Sequence, residues 1–159
     1  MNRKIRNPFD SSVNKCFGCG PENPIGLKLR FEETDTGITA IWDPSTEYEG
    51  YSDVLHGGII ATLLDEAAAW LVYIKLETAG VTSELSVKYM HPVHLSKGTI
   101  KATASLSERN DRTASIRCVL TDGDSKECAV AVAEFFIFPR EVAERRFRYP
   151  GPEAFRQVQ

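Results

Sequence analysis

The chain has 159 residues, of which 42% are hydrophobic and 26% charged, and its formal net charge is -3. These values are typical of one globular domain with a buried core, and not of a low-complexity or repeat protein. The slight acidity argues against a nucleic-acid-binding protein, which would usually carry a basic excess.

The expected location follows from the N-terminus, the cysteines and the most apolar stretch. The N-terminal sequence M-N-R-K-I-R-N-P-F-D is charged and has no apolar core, so we expect no secretory signal. Four cysteines in a chain of this length do not resemble a disulfide scaffold. Asp65 and Glu66 interrupt the most apolar stretch, which disfavours a membrane-spanning helix. We therefore expect a cytoplasmic protein with reduced thiols and no membrane partner.

Residues 1–24 are rich in turn-forming residues, and we expect an irregular N-terminal segment. This segment contains a C-x-x-C motif at Cys16 and Cys19. A zinc site would require a second ligand pair at zinc spacing, which the remaining cysteines and histidines do not supply. A redox site would require a strand-to-helix context, whereas glycine and proline follow the motif. The preferred interpretation is a turn with small buried thiols, and no metal is expected.

The next segments predict a hairpin. Residues 26–33 alternate between apolar and polar side chains, which is typical of a half-buried strand. A turn over 34–37 and a second strand over 38–42 complete the hairpin. A polar, aromatic loop over 44–54 then leads into a helix that starts with glycine, and such loops often line a site.

The stretch from Asp53 to Gly80 predicts one long, mostly buried helix. It should begin at about Gly57 and stop at Gly80, with Lys75 favourably placed near the negative end of the helix dipole. Several alanines keep the helix thin enough for a sheet to close around it. Apolar residues recur at three- and four-residue spacing: Ile59, Ile60, Leu63, Leu64, Ala67, Ala68, Leu71 and Val72.

Four strand-like segments follow the helix, at residues 81–94, 99–107, 112–121 and 126–138. We expect them to form a consecutive antiparallel meander. Pro92 indicates an edge strand or a bulge near the end of the first segment. The predicted fold class is therefore α+β, with a long central helix wrapped by a curved antiparallel sheet. Residues 139–159 are expected to be a frayed helical turn and an extended, partly mobile C-terminal tail.

The start of the helix carries candidate chemistry. The first backbone N–H groups of a helix have no acceptor within it and carry partial positive charge. Because Gly57 and Gly58 let a ligand approach that backbone, they form a candidate site for an oxyanion or a polarised carbonyl oxygen. A plain tight turn is the alternative. His56 is a candidate for a positioning role, although it could simply cap the helix.

Asp65 and Glu66 lie in the middle of this helix. Adjacent helical residues point about 100° apart, so an exposed face or an ion pair explains one carboxylate more easily than both. One of them should face a cavity or an interface as a base or nucleophile. Asp65 lies roughly 12 Å along the axis from Gly57. If both act on one substrate, they must come from two chains of a two-fold dimer with antiparallel helices.

The motif H-G-G-I-I-A-T-L-L-D-E-A, followed by V-T-S-E-L-S-V-K-Y-M-H-P-V, resembles the hotdog-fold acyl-CoA thioesterases of the phenylacetate-degradation type. The upstream sequence C-F-G-C-G-P-E-N-P-I-G-L-K-L resembles the N-terminal segment of a bacterial branch of that group. The resemblance covers about residues 16–138 and implies a hotdog domain at 25–138. It also implies homodimers whose sheets join edge to edge and which often pair into homotetramers.

The resemblance further implies hydrolysis of an acyl-CoA, or of a carrier-protein thioester, to a free acid and a thiol. Coenzyme A would be part of the substrate, and no separate cofactor is implied. The Gly57 amide would polarise the thioester carbonyl, with His56 shaping that position. Asp65 from the partner chain would be the nucleophile or general base, and Thr82 would position water.

Three further residues are assigned to substrate binding by the same resemblance: Gly58, Glu49 and Ser83. Related sequences often carry an asparagine or glutamine where this chain has Glu49. A carboxylate there donates no hydrogen bond unless it is protonated, and it could repel Asp65. Two alternatives stay open: a non-catalytic acyl-CoA-binding or sensing hotdog protein, and a hotdog dehydratase, which uses a histidine and an acid in a different pattern.

Overall fold

The computed structural model describes residues 1–156, in which a large antiparallel sheet packs around one long helix. The main sheet has the order β1-β2-β3-β7-β8-β9-β6, and β4 and β5 form a separate short ladder. The strands are β1 Arg3–Ile5, β2 Arg30–Glu33, β3 Gly37–Trp42, β4 Glu49–Tyr51, β5 Val54–Leu55, β6 Gly80–Tyr89, β7 Ile100–Arg109, β8 Thr113–Thr121 and β9 Glu127–Ile137. The helices are α1 Gly57–Lys75 and α2 Arg140–Phe147, with 3-10 turns at Thr46–Tyr48, Leu95–Lys97 and Pro152–Phe155.

Helix α1 forms the centre of the core, as its apolar periodicity predicts. It packs mainly against β3, β6, β7, β8 and β9 of the main sheet, and Trp70 and Lys75 near its C-terminal end also contact β2. By length and hydropathy alone α1 could cross a membrane, but in this structure it is packed inside the sheet. Its buried residues follow the three- and four-residue spacing of one wide helical face: Ile60, Leu63, Leu64, Ala67, Ala68, Trp70, Leu71, Val72 and Ile74.

The helix ends earlier than the sequence predicts. Gly80 is not the stop signal: α1 ends at Lys75, and Glu77 takes the left-handed conformation with a φ of 54°. Gly80 instead opens β6, where a side-chain Cβ would lie 2.6 Å from the carbonyl oxygen of Phe136. The glycine is therefore needed for close packing of neighbouring strands. Lys75 lies in the last turn, as expected, and its ammonium contacts Glu33 at 2.8 Å.

The predicted meander is wrong for its first strand. Strands β7, β8 and β9 are consecutive neighbours, but β6 pairs with β9 and β7 pairs with β3. The connection after β6 contains Pro92 and the turn Leu95–Lys97, so it is too long for a hairpin and lets the chain cross to β3. As a result β6 is an edge of the main sheet, which agrees with the signal from Pro92.

The first predicted hairpin is present, but its first strand is shorter than expected. Strands β2 and β3 are antiparallel, and Thr34 and Gly37 close the turn between them. Residues 26–29 are not a strand, because Lys28 has a φ of 56° and breaks the extended backbone. The apolar side chains on both sides of Lys28 are nevertheless buried.

Both ends of the chain are more ordered than the sequence predicts. Strand β1 adds to the sheet beside β2, although residues 1–24 are otherwise irregular. The C-terminal segment forms α2 and the turn Pro152–Phe155 rather than an extended tail. Phe155 is completely buried against Trp70, and this aromatic contact anchors the segment to α1. Residues 157–159 of the predicted tail lie outside the described residues.

Candidate active site

The start of α1 presents two glycines with different roles. His56 is the N-cap residue, and its Nδ1 accepts a 2.9 Å hydrogen bond from the backbone N–H of Gly58. Because Nδ1 is an acceptor, a neutral His56 carries its proton on Nε2, which makes the exposed edge of the ring a donor. The N–H of Gly57 has no acceptor within the helix. Of the two candidate glycine amides, Gly57 is thus the one that a carbonyl oxygen could use.

Tyr89, at the end of β6, contacts the same helix start. Its hydroxyl donates a 2.7 Å hydrogen bond to the carbonyl oxygen of Gly57. A Cβ on Gly57 would lie 3.5 Å from the Tyr89 ring, which is ordinary van der Waals contact. The sequence pattern predicts a strand at this position but no site role for Tyr89. A tyrosine at a strand end has no feature that indicates this contact before the pairing of β6 is known.

Asp65 and Thr82 are brought together as a pair. Thr82 Oγ1 donates a 2.7 Å hydrogen bond to Asp65 Oδ1, so the carboxylate of α1 is tied to the exposed edge strand. Ser83, the next residue, points elsewhere: its hydroxyl donates to the carbonyl oxygen of Glu134 at 3.1 Å. Ser83 is the extra residue of an irregularity in β6 between Thr82 and Glu84, where the regular alternation of side chains is interrupted.

The two halves of the predicted site are not joined within one chain. Asp65 lies roughly 12 Å from Gly57 along α1. Strand β6 runs alongside the helix in the opposite direction, from Asp65 towards Gly57. Thr82 accordingly contacts Asp65, while Tyr89 contacts Gly57. Each chain thus carries a carboxylate end and a helix-start end on the same exposed sheet edge.

Glu49 is engaged within its own loop. Its Oε1 accepts a 2.9 Å hydrogen bond from the backbone N–H of Asp53, and β4 and β5 pair across this loop. Gly50 lies against His56, so the loop borders the helix start. The Asp53 carboxylate in turn accepts two hydrogen bonds from Ser96, and these lower the pKa of Asp53. Glu49 therefore shapes the loop that leads into the helix.

Glu66 faces a different part of the molecule from Asp65, as the 100° rotation predicts. It has no ion-pair partner within residues 1–156 and does not lie on an open face: it lies against the C-x-x-C turn, with Cys16 Sγ 3.4 Å from Oε1. Burial raises the pKa of Glu66 to about 8, and hydrogen bonding from Cys19 lowers the pKa of Cys16 to about 5. The sequence gives no signal for this contact, because fifty residues separate the two groups.

Four aromatic residues, in the loop before α1 and in α1 itself, serve different purposes. Trp70 stacks on Phe31 with ring centroids 3.9 Å apart and is part of the core. Tyr48 donates to a backbone carbonyl oxygen, and Tyr51 is 83% exposed. Tyr73 borders a cavity of about 600 Å³ between the N-terminal segment and the end of α2, away from Asp65.

Known proteins resemble this chain in both sequence and fold. The sequence model of the thioesterase superfamily matches residues 53–129, just under half of the chain. The resemblance to the hotdog-fold thioesterases is confirmed. The matched segment begins just before the helix start and includes Gly57, Asp65 and Thr82. It ends within β9, so it contains α1 and most of the strands that enclose it.

Three solved structures share the hotdog fold with this protein. The thioesterase HI1161 from Haemophilus influenzae is 15% identical, with a TM-score of 0.67 over 76% of this chain and 85% of the other. The PaaI protein of the Escherichia coli phenylacetic acid degradation operon is 19% identical, with a TM-score of 0.65 over 72% and 82%. A Bacillus halodurans protein crystallised with CoA is 22% identical, with a TM-score of 0.63 over 71% and 76%.

A curated relative covers a smaller part of the chain. An uncharacterised protein of Schizosaccharomyces pombe is 36% identical over 76 residues, which is 45% of this chain. The match spans 43% of the relative's length, so this chain matches less than half of that protein.

Proposed function

We propose that this protein hydrolyses an acyl-CoA thioester to a carboxylic acid and a thiol at a site that two chains build together. The observation that carries the proposal is the 2.7 Å hydrogen bond from Thr82 to Asp65. It holds a carboxylate of the central helix at the exposed edge of the main sheet, where a neighbouring chain can supply the other half of the site.

Pairing of β6 with a second copy of the chain would produce this geometry. Thr82 and Tyr89 lie near opposite ends of β6, and this edge strand has no partner on its outer side among the described residues. If two β6 strands pair antiparallel about a two-fold axis near residues 85 and 86, Thr82 of one chain lies opposite Tyr89 of the other. Asp65 of one chain then approaches Gly57 of its partner, and the arrangement occurs twice.

The edge also has the side chains of an interface. Val81 and Tyr89 on β6 are 41% and 51% exposed, and Phe136 on the adjacent β9 is 54% exposed. Large apolar side chains at a free sheet edge favour pairing with another chain. We propose a homodimer on this basis and leave its pairing into a homotetramer as an implication of the family resemblance.

The proposed reaction uses the two ends of the site in different ways. The Gly57 N–H of one chain would donate to the thioester carbonyl oxygen and stabilise the negative charge that develops there. Asp65 of the other chain would either deprotonate the attacking water or attack the carbonyl carbon itself. The carbon–sulfur bond then breaks, and the thiolate leaves and takes up a proton. In the nucleophilic route, water afterwards hydrolyses the anhydride formed with Asp65, which releases the acid and restores the carboxylate. Thr82 fixes the direction of the carboxylate.

The acyl-CoA class of substrate is supported by the solved relative that was crystallised with CoA. The substrate would bring its own CoA, so hydrolysis at this site needs no separate cofactor. We also propose that the reaction takes place in the cytoplasm, where free thiols such as those of the four cysteines stay reduced.

The test is thiol release from acyl-CoAs by the wild type and by Asp65→Asn. The variant keeps the size of the side chain but cannot act as a base, so kcat should fall by about 10²–10⁴ with little change in KM. Asp43→Asn is the control, because Asp43 also accepts a 2.7 Å hydrogen bond from a threonine, Thr99, and its only ion pair among the described residues, with Arg30, is exposed and outside the site. Unchanged turnover in Asp65→Asn would refute the mechanism. Saturable acyl-CoA binding without thiol release by the wild type would favour the non-catalytic alternative.

A further inference from the structure

The C-x-x-C turn and helix α1 bring three potential metal ligands together. Cys16 Sγ, Cys19 Sγ and a carboxylate oxygen of Glu66 all lie within 4.8 Å of one another. Cys19 is buried, and Cys16 and Glu66 are partly buried. The third ligand comes from the central helix, which explains why a search for a second cysteine or histidine pair does not find it.

The distances between these three atoms fit a tetrahedral zinc centre if the atoms move slightly closer together. With Zn–S near 2.3 Å and Zn–O near 2.1 Å, tetrahedral angles separate a sulfur and an oxygen ligand by about 3.6 Å, and two sulfurs by about 3.8 Å. Cys16 Sγ and Glu66 Oε1 are already 3.4 Å apart. The remaining pairs, at no more than 4.8 Å, need to close by about 1 Å at most.

The turn is shaped to hold a charged sulfur. The backbone N–H of Cys19 points at Cys16 Sγ at 3.4 Å, and the N–H of Gly20 closes the turn on the carbonyl oxygen of Cys16 at 2.9 Å. The Cys19 N–H, which points at the sulfur, stabilises negative charge on it, and the Gly20 bond holds the turn that places this N–H there. Gly18 is required at its position, because a Cβ there would lie 2.3 Å from Cγ of Glu66. The glycine therefore lets the turn sit directly on the carboxylate.

Two polar atoms at this cluster are buried without a partner in the described part of the chain. Glu66 Oε2 is sealed from solvent and makes no hydrogen bond. The indole Nε1 of Trp70, which lies near the Cys19 thiol, is also buried with no acceptor. Burying such groups unpaired is costly, so each calls for an explanation. A cation would satisfy the carboxylate, and a metal-bound thiolate at Cys19 would give the indole N–H an acceptor.

We propose that Cys16, Cys19 and Glu66 form a three-ligand site for Zn²⁺ that fastens the N-terminal turn to helix α1. Two thiolates and one carboxylate suit Zn²⁺ better than the hard cations Mg²⁺ and Ca²⁺, which prefer oxygen ligands alone. The fourth position is open to water. The site adjoins Asp65 in sequence, but its ligands point away from the Asp65–Thr82 pair, so it stands independently of the proposed hydrolysis.

Cobalt and zinc titrations of the reduced, full-length protein test the site. Co²⁺ is the spectroscopic probe, because thiolate ligands give it intense sulfur-to-metal charge-transfer absorption. We expect one Co²⁺ per chain with this absorption, its displacement by Zn²⁺, and a higher thermal midpoint with Zn²⁺ present. Failure of the reduced wild type to bind close to one metal per chain would overturn the proposal, whatever the variants do.

Single variants assign the ligands. Cys16→Ser and Cys19→Ser should each lower Zn²⁺ affinity at least about 100-fold, and any Co²⁺ still bound should show about half of the charge-transfer absorption because one thiolate is left. Glu66→Gln should lower affinity about tenfold or more while the thiolate absorption stays. Cys128→Ala is the matched control, since this buried thiol lies outside the cluster. Circular dichroism checks that each variant is folded. Binding that survives Cys16→Ser and Cys19→Ser, or a Cys16–Cys19 disulfide in place of metal binding, would contradict the site.

Discussion

Thr82 Oγ1 lies 2.7 Å from Asp65 Oδ1, and this hydrogen bond joins the edge strand to the central helix. The rest of β6 aligns with α1 in the same way, because Tyr89 reaches the carbonyl oxygen of Gly57. The strand therefore positions both ends of the candidate site. A carboxylate held by a single hydroxyl at an open sheet edge is well placed to act on a substrate that lies between two chains.

Removing the Thr82 hydroxyl should impair catalysis while the fold stays intact. A hydrogen bond to a charged group contributes about 1.5–3 kcal/mol, so Thr82→Val should lower kcat roughly 10- to 100-fold. Thr82→Ser should retain most of the activity because it keeps the donor. Steady-state thiol-release kinetics measure both effects. Thr99→Val, which breaks the matched bond to Asp43, should leave kcat within about twofold of the wild type; equal losses in Thr82→Val and Thr99→Val would argue against a specific role for Thr82.

The backbone N–H of Gly57 can be deleted by substitution with proline. Gly57 is the first residue of α1, where proline is favoured, and His56 already has the extended conformation that a residue before proline requires (φ −60°, ψ 133°). Gly57→Pro should therefore keep the helix but lower kcat about 10²–10³-fold, the usual effect of losing one oxyanion donor. Gly57→Ala keeps the N–H and should lose far less activity, since its Cβ meets only ordinary contacts. Similar kcat values for the proline and alanine variants would rule out this amide as the donor.

The ion pair at the end of α1 should give stability that is lost in acid. Glu33 is buried between Lys75 at 2.8 Å and Arg156 at 3.5 Å. Burial alone would raise the pKa of Glu33, but Lys75 and Arg156 outweigh it and leave the pKa below its usual value. A lowered pKa in the folded state adds stability above the unfolded value of about 4.3, and this stability disappears as the pH falls through the folded value.

Glu33→Gln should thus reduce the free energy of unfolding by roughly 1–3 kcal/mol at pH 7, and by less as the pH falls below about 4. Urea unfolding curves at pH 7 and at a pH below about 4 measure this difference. Asp35→Asn is the control, because the Asp35 side chain is 88% exposed and should contribute little at either pH. A difference between wild type and Glu33→Gln that is the same at both pH values would mean that the ion pair is not the cause.

Local patterns in the sequence predict the helix but not its neighbours. The start of α1 at Gly57 and its buried face follow from glycine placement and apolar spacing, and both are confirmed. The pairing of β6 with β9 depends on a long-range choice between sheet edges, and strand periodicity contains no information about it. The early end of α1 at Lys75 likewise reflects a left-handed residue, Glu77, that is not glycine.

The same distinction holds within the candidate site. The divergence of Asp65 and Glu66 follows from helix geometry alone, and the structure confirms it. The contacts of Asp65 and Glu66 do not follow from helix geometry, because Thr82 and Cys16 belong to segments whose position relative to α1 is fixed by tertiary packing. The catalytic roles of these residues, and the contribution of a second chain, remain predictions for solution experiments.

Subunit complementation tests the shared site most directly. Asp65→Asn and Gly57→Pro chains damage opposite ends of the site, so each homodimer should be nearly inactive. When the two variants are mixed as unfolded chains and refolded together, half of the dimers should contain one of each. Each mixed dimer then has one site with both functional groups and one site with neither, so about a quarter of all sites should be intact. Thiol release by the mixture should therefore recover to about a quarter of the wild-type rate, and a mixture no more active than the separate variants would contradict a site built from two chains.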